Sequence, residues 1–374
     1  MSCCNSTPDN TIIDDVKEYY GKRLKQSADL QTGACTTGSA PPKYVRETLG
    51  LIHEEVVSRY YGCGLVIPQC LTDMKVLDLG SGSGRDVYAL SKLVGKNGHV
   101  TGVDMTDEQL EVARKYVTYH AEKFGYEKPN VAFVQGYIEK LLELGIPEGT
   151  FDIIVSNCVV NLSPDKKAVL QGAYSLLKEG GELYFSDVYA DSNLPDTIRK
   201  HKVLWGECIA GALWWQDLVK IAEEVGFTTT RLVHATPLPI NNDELQKIVE
   251  GHQFVSAEYR LFKLPAKPSS PCQVIYKGGV LGSEETFQLD YRRQFKKNEP
   301  VTVDEQTASI LQNTRFADWF SFQPLPDNQT QEMDKENCLD PFLYISTKGV
   351  KAPSGGCCGP SKKSDKCAEV KKCC

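Results

Sequence analysis

The sequence predicts an α/β fold in which helices flank a mostly parallel sheet, followed by a small C-terminal α+β domain. Strand-like and helix-like segments alternate over residues 74–233, which is typical of parallel sheets with helices on both faces. A glycine turn, Gly80, Gly82 and Gly84, follows the first buried strand. An acidic residue, Asp104, ends the second strand, 20 residues beyond Gly84.

Length and composition bound the domain organisation. The chain has 374 residues, enough for two domains of about 150 residues each plus tails. We predict a helical N-terminal segment with a cysteine-bearing loop over residues 1–70, a central domain over 71–236, an α+β domain over 237–350 and a Cys/Lys/Gly-rich disordered tail over 351–374. The tail thiols are either a soft-metal site or part of a solvated tail.

Charge and cysteine content exclude several classes of protein. A net charge of -7 does not favour a nucleic-acid partner. The chain has no run of 18 apolar residues, and its N-terminus lacks the charged and apolar regions of a signal peptide. We therefore expect a cytosolic monomer without a membrane partner, in which most of the 14 cysteines are reduced thiols. The absence of a C-x-x-C pair argues against structural zinc.

The N-terminal segment carries two cysteines in glycine-containing contexts. Residues 10–30 have helical periodicity, and the following loop, rich in Gly, Ser, Thr and Pro, contains Cys35. A helix over residues 42–60 leads to Tyr61-Gly62-Cys63. Cys35 is either an idle or a redox-active thiol, and Cys63 is either a small apolar filler or part of a site near the glycine turn.

The central domain is predicted to contain five strands in a regular alternation with helices. Strands are expected at residues 76–79, 99–104, 131–135, 151–157 and 178–188. Helices are expected at 87–94 and 107–124, before Leu177, and at 216–225, with a further strand at 228–233. The aromatic stretch 201–215 contains Cys208 and is either a plain core helix or a substrate-binding insertion. Beyond it, strands at 254–263, 272–279 and 285–289 and a helix at 304–311 form the α+β domain.

The glycine spacing indicates which ligand the turn binds. The dinucleotide pattern G-x-G-x-x-G fails, because Arg85 or Val87 stands at the third glycine position. The D-x-G-x-G-x-G pattern that begins at Asp78 resembles motif I of the class I S-adenosylmethionine-dependent methyltransferases, which have a Rossmann-like fold. That resemblance implies that Asp104 accepts hydrogen bonds from the ribose hydroxyls. The family's usual adenine-binding acid is replaced by Tyr137, so the candidates there are the Ile138 backbone and Glu139.

Sheet topology places a thiol beside the predicted cofactor. Ligands of open parallel sheets bind at the carboxyl ends of the strands, where the strand order reverses, here between strands one and four. Gly80 follows strand one and Cys158 follows strand four. Cys158 is therefore a candidate methyl acceptor, covalent nucleophile or ligand. With Cys63 and Cys208 expected at the same rim, three thiols indicate a soft, thiolate-binding centre.

The four cysteine contexts together resemble the arsenite methyltransferases. These are Cys35 in its Gly/Thr loop, Tyr-Tyr-Gly-Cys-Gly at Cys63, Ser-Asn-Cys-Val at Cys158 and Leu-Trp-Gly-Glu-Cys at Cys208. The resemblance covers nearly the whole chain, including the Gly-Gly-Cys-Cys-Gly tail. It implies S-adenosylmethionine as methyl donor, As(III) bound by Cys63, Cys158 and Cys208, and a redox role for Cys35. The implied cofactor contacts are Tyr61, Gly80, Ser81, Gly82, Asp104 and Met105, to which the residue pattern adds Asp78, Ile138 and Glu139.

The resemblance also implies partners and a redox cycle. The expected substrates are trivalent arsenicals or their glutathione conjugates, with mono- and dimethyl arsenicals as products. Cys35 is the candidate disulfide partner of Cys63, with thioredoxin or glutathione as reductant. Cys3 and Cys4 match no motif. Two alternatives remain open: a class I methyltransferase with a small organic acceptor, and a thiol-rich protein that only sequesters metalloids.

Overall fold

A large sheet organises the molecule. The computed structural model describes residues 10–23, 41–62, 66–325 and 339–350. The strands of the sheet are β1 Lys75–Leu79, β2 His99–Asp104, β3 Val131–Gln135, β4 Phe151–Asn157, β5 Leu177–Ala190, β6 Leu213–Trp214, β7 Arg231–Pro237 and β8 Phe254–Phe262. Their order is β3-β2-β1-β4-β5-β8-β7, and β6 pairs with the end of β5. The first five strands are parallel, which confirms the predicted fold, and β8 is antiparallel to β5 and β7.

The strand order reverses between β1 and β4, as the topological argument requires. Leu79 lies opposite Ser156 in this pair, so both strands end at the same edge. The chain leaves β1 into Gly80 and leaves β4 into Cys158. β1 is buried at every position after Lys75, because helices cover both faces of the sheet.

Helices cover the sheet on both faces. The α-helices of the described residues are α1 Asn10–Glu18, α2 Lys43–Leu49, α3 Glu54–Ser58, α4 Arg85–Val94, α5 Asp107–Lys115, α6 Val117–Phe124, α7 Lys166–Leu176, α8 Asp196–Arg199, α9 Lys202–Gly206, α10 Trp215–Val225, α11 Asp243–Ile248, α12 Glu305–Asn313 and α13 Pro341–Lys348, of which α12 packs on the small C-terminal sheet. A π-helical turn, Tyr19–Arg23, follows α1, and 3-10 helices span Ile138–Leu144, Val160–Leu162 and Ala317–Trp319. Among the described residues, no helix has the length and apolar character needed to cross a bilayer.

Two helices that the sequence predicts as continuous are broken. The segment 42–60 forms α2 and α3, because α2 ends at Gly50 and the His53 ring accepts the N–H of Glu55 to begin α3. The segment 107–124 breaks at Tyr116, whose φ of -105° and ψ of 12° are not helical. The Tyr116 ring stacks on His53 at 3.8 Å between centroids. A tertiary contact therefore accompanies the break, and local periodicity does not report it.

The C-terminal region differs from the prediction in one respect. The strand predicted at 254–263 is present as β8, but it belongs to the large sheet and not to the smaller domain. The predicted boundary after residue 236 thus separates β7 from its neighbour β8. Beyond β8 lie β9 Cys272–Tyr276, β12 Pro300–Val303 and β13 Phe320–Gln323 in one small sheet, and β10 Thr286–Gln288 with β11 Gln294–Lys296 in another.

Buried ion pairs join the C-terminal region to the large sheet. Glu182 of β5 lies between the guanidinium groups of Arg260 and Arg315, and both arginines hold its pKa below the usual range against the effect of burial. Arg231 of β7 pairs with Asp290 at 2.8 Å. Breaking a buried pair leaves an uncompensated charge, so these contacts fix how the two regions pack.

Candidate functional site

A cleft opens at the carboxyl edge of the large sheet, over the point where the strand order reverses. It contains about 970 Å³ of space not filled by protein atoms, part of which is open solvent. All nine predicted cofactor residues line it: Tyr61, Asp78, Gly80, Ser81, Gly82, Asp104, Met105, Ile138 and Glu139. Cys158 lines the same cleft. The residues that the sequence predicts as cofactor contacts therefore lie together in one cleft.

The glycine turn forms the floor of this cleft. Gly80 has a φ of 69° and Gly82 a φ of 51°, in the left-handed region that favours glycine. A Cβ on Gly80 would overlap the side chain of Val159, the residue after Cys158. Apart from its chain neighbours, a Cβ on Gly82 would meet no atom of the described residues within 4 Å. Gly80 therefore allows the two strand ends to approach each other, whereas Gly82 leaves open space on the ligand side.

Asp104 is held rigidly at the end of β2. Its carboxylate accepts the backbone N–H groups of Gly82 and Thr106, both at 2.8 Å. Burial raises the pKa of Asp104, and these two hydrogen bonds oppose that effect. A carboxylate can accept about four hydrogen bonds, so Asp104 has the capacity to accept a ribose hydroxyl in addition to its protein donors.

Three acids concentrate negative charge in the cleft. Burial raises the pKa of Asp78 well above its ordinary value, and the charges of Asp86 and Asp104 raise it further. Arg85 partly neutralises Asp86, with Nη2 at 2.6 Å from Oδ1. A ligand that carries positive charge, such as a sulfonium with an α-ammonium group, relieves this repulsion when it binds.

One side of the cleft follows β3. Ile138 begins the 3-10 helix there and is buried, whereas Tyr137 is exposed. Gly136 and Glu139 line the cleft beside Ile138.

A polar cluster on the rim is absent from the sequence prediction. The guanidinium carbon of Arg85 lies 3.1 Å from the centroid of the Tyr60 ring. The Asn157 amide donates to the Tyr60 hydroxyl at 2.7 Å and to Asp86 at 3.1 Å. The sequence suggests for Asp86 only the role of an acid at the start of a helix. The one available signal is that Tyr60 precedes Tyr61 and Asn157 precedes Cys158, both predicted site residues.

Two predicted site cysteines are in contact, Cys158 in the cleft wall and Cys208 behind it. Cys158 and Cys208 have φ angles of 57° and 61°, a conformation that is uncommon for residues other than glycine. The Cys208 thiol donates to the backbone carbonyl of Cys158, with the sulfur 3.2 Å from the oxygen. Cys208 is fully buried and does not line the cleft. The sequence predicts it on the rim, whereas the structure has it behind the rim. Strained residues of this kind are frequent at functional sites.

The redox state of the thiols differs between positions. Cys158 is disulfide-bonded in the structure. A disulfide sulfur is not a ligand for As(III), so this bond has to be reduced before Cys158 binds arsenic. The other two predicted site cysteines, Cys35 and Cys63, lie outside the described residues, as do Cys3, Cys4 and the tail.

The cleft fits an adenosyl cofactor on the observations above. The Ser81 hydroxyl and the Gln109 carbonyl oxygen are buried on its wall without a hydrogen-bond partner among the described residues. Buried polar atoms of this kind require a partner, and the polar edges of a bound nucleoside supply one. The open space at Gly82 allows the close approach of that ligand.

Comparison with known proteins decides the family. A methyltransferase domain model matches residues 71–226, and an arsenite methyltransferase C-terminal domain model matches residues 269–374. An arsenite methyltransferase of Homo sapiens is 52% identical over 369 residues, covering 95% of this chain and 98% of the relative. One from Rattus norvegicus is 51% identical over 362 residues, with the same coverage. The chain belongs to the arsenite methyltransferase family.

A solved structure of an arsenite methyltransferase supports the fold assignment. The crystal structure of CrArsM, an arsenic(III) S-adenosylmethionine methyltransferase from Chlamydomonas reinhardtii, is 44% identical. It aligns with a TM-score of 0.74, over 77% of this chain and 98% of that chain. The chain is thus a Rossmann-like, S-adenosylmethionine-dependent methyltransferase, as the D-x-G-x-G-x-G turn predicts.

Proposed function

We propose that this protein transfers methyl groups from S-adenosylmethionine to trivalent arsenic held by its own thiolates. The observation that carries the proposal is that Cys158 and the glycine turn line the same cleft. The Cys208 thiol also donates a hydrogen bond to the Cys158 backbone carbonyl. As(III) is a soft centre that prefers thiolate ligands. We propose Cys63, Cys158 and Cys208 as its ligands, and mono- and dimethyl arsenicals as the products.

The proposed roles of the cleft residues follow from their charge and contacts. When bound, S-adenosylmethionine supplies an electrophilic methyl group to the arsenic lone pair, so no proton has to be removed. Asp104 would hold the ribose, and the Ile138 backbone with Glu139 would bind the adenine. Tyr61, whose ring packs edge-on against Tyr20 at 5.6 Å, would face the sulfonium through a cation–π contact. Catalysis then rests mainly on the relative positions of donor and acceptor.

Redox chemistry completes the proposed cycle. Methylation formally oxidises As(III) to As(V), and two thiolates return it to As(III) by giving up two electrons and forming a disulfide. We propose Cys35 and Cys63 as that pair, with thioredoxin or glutathione as external reductant. The same reductant would have to reduce the disulfide at Cys158 before that thiolate binds arsenic. A monomer in a reducing compartment such as the cytosol suits this chemistry, with arsenite or its glutathione conjugate as substrate.

The test is arsenic speciation after incubation of the purified protein with arsenite, a thiol reductant and S-adenosylmethionine. Cys158→Ser and Cys208→Ser should lose methylation while still binding S-adenosylhomocysteine. Cys272→Ser is the control, because that thiol is in the small C-terminal sheet. No methylated arsenic from the wild type would refute the proposal. Methylation retained in both site variants would indicate that arsenic is not held by Cys158 and Cys208 during methyl transfer.

Two further variants separate the remaining alternatives. A protein that only sequesters arsenite would bind it independently of the cofactor and would tolerate Asp104→Ala. A methyltransferase should lose turnover in this variant. Cys35→Ser should lose multiple turnovers with inorganic arsenite, and a multiple-turnover rate equal to that of the wild type would remove Cys35 from the redox cycle.

A further inference from the structure

A lysine is buried between the turn that follows Cys158 and the segment that carries Cys208. Lys166 is the first residue of α7, and only 8% of it is exposed. Burial lowers the pKa of Lys166 to about 8, and the charges of Asp187 and Cys208 oppose that effect. A cation at the N-terminus of a helix also faces the positive end of the helix dipole. The position is thus unfavourable for a lysine unless its surroundings compensate.

The compensation comes from backbone carbonyls of one turn. The Lys166 ammonium donates to the carbonyl of Ser163 at 2.8 Å and to that of Asn161 at 3.3 Å. It also lies 5.4 Å from the centroid of the Trp205 ring, in the segment that carries Cys208. None of the described carboxylates lies within 4.0 Å of this ammonium. The ammonium therefore forms no ion pair with a described carboxylate, and instead it stabilises the turn that follows Cys158 through hydrogen bonds to its carbonyls.

That turn is fixed on its other sides as well. The Asn161 backbone N–H donates to buried Asp187 at 3.0 Å, and its amide donates to the carbonyl of Val188 at 2.5 Å. A Cβ on Gly211 would overlap the Asn161 carbonyl oxygen, the same oxygen that accepts from Lys166. The turn after Cys158 and the turn after Cys208 are thus in direct contact at this oxygen.

Both cysteines depend on this packing for their backbone conformation. Each has a positive φ, and such residues persist only where the surroundings over-determine them. The Cys158 backbone N–H donates to the carbonyl of Ser186 at 2.8 Å, which anchors one side of the turn to β5. Lys166 anchors the other side. The separation of the two sulfurs therefore follows from how the two turns are held together.

We propose that Lys166 is a positioning residue for arsenic capture. Its ammonium holds the turn 158–163 against the segment 205–211 at the separation at which two thiolates bind one As(III). This inference rests on the proposed function, since it takes Cys158 and Cys208 to be arsenic ligands. It assigns no chemical step to the lysine, which acts only through the positions of the two sulfurs.

The test compares Lys166→Met with Lys167→Met in fully reduced protein. Methionine keeps the apolar stem and removes the ammonium. Lys167 is the matched control, because it pairs with Glu224 at 2.7 Å on the surface. The probe is phenylarsine oxide, which needs two neighbouring thiols. Lys166→Met should bind it at least tenfold more weakly than the wild type, while S-adenosylhomocysteine affinity and the number of titratable thiols stay unchanged. Lys167→Met should match the wild type in all three.

Two outcomes overturn the inference, and they differ from failure of the proposed function. Phenylarsine oxide affinity within twofold of the wild type in folded Lys166→Met would remove the positioning role. An equal loss of S-adenosylhomocysteine affinity would indicate general destabilisation and would overturn it too. If Lys166→Met does not fold, Lys166→Gln is judged by the same criteria. A wild type that forms no methylated arsenic refutes the proposed function, whatever the variants do.

Discussion

Gly80→Ala and Gly82→Ala should weaken the protein in different ways, although both substitutions fall in one turn. Both glycines have positive φ, which costs alanine roughly 1–2 kcal/mol. In Gly80→Ala the new methyl also lies within 2.7 Å of the Val159 Cβ, and such overpacking adds roughly 1–3 kcal/mol. We expect a loss of unfolding free energy of about 2–5 kcal/mol for Gly80→Ala and about 1–2 kcal/mol for Gly82→Ala.

Gly82→Ala should affect ligand affinity more than stability. Its methyl would contact none of the residues that the structure describes, other than its chain neighbours, and would enter the open space of the cleft. Gly82→Ala should therefore lose more affinity for S-adenosylhomocysteine than its small loss of stability suggests. Urea unfolding gives the stabilities, and titration calorimetry gives the affinities. Equal destabilisation of the two variants, or unchanged affinity in Gly82→Ala, would refute the steric reasoning.

Two further substitutions test the cofactor site and a buried histidine. Asp104→Asn replaces one acceptor oxygen by an NH₂ donor that faces backbone N–H groups. It should lower the affinity for S-adenosylhomocysteine about 10- to 100-fold, as measured by calorimetry. The same change at exposed Asp107 is the control and should leave the affinity unaltered. His120 is 1% exposed, and burial lowers its pKa from 6.5 to about 4. As the pH falls through this window the unfolded chain takes up the proton first, so the wild type loses stability that His120→Gln does not. The difference in unfolding free energy between them should shrink by about 3 kcal/mol from pH 7 to pH 4, and a constant difference would contradict the buried neutral ring.

The parts of the fold that are predictable from the sequence are those that local patterns determine. The strand at 99–104 and the acid that ends it follow from a short apolar run and its terminal residue, and both are present as predicted. The reversal between β1 and β4 follows from the strand order of the fold that the glycine-turn motif resembles, and the structure has it there. The strand pattern and the strand order together predict that Cys158 lies beside Gly80, and neither requires knowledge of side-chain packing.

The parts that the sequence does not predict depend on tertiary contacts. The strand at 254–262 has a clear pattern, but that pattern does not identify β5 as its partner, and the buried pair of Arg260 with Glu182 joins residues that are 78 positions apart. Lys166 follows a proline and an aspartate at the start of a helix, where a lysine is ordinarily solvated. Its burial becomes visible only when Trp205 and the Ser163 carbonyl are placed around it.

The most direct measurement of the central claim is arsenic speciation with wild type, Cys158→Ser, Cys208→Ser and Cys272→Ser in parallel, at saturating S-adenosylmethionine and reductant. The account predicts methylated arsenic from the wild type and from Cys272→Ser, and a loss of at least a hundredfold in the two site variants. Their affinity for S-adenosylhomocysteine should remain that of the wild type. Methylation by Cys158→Ser and Cys208→Ser at the wild-type rate would contradict arsenic capture by this pair of thiols.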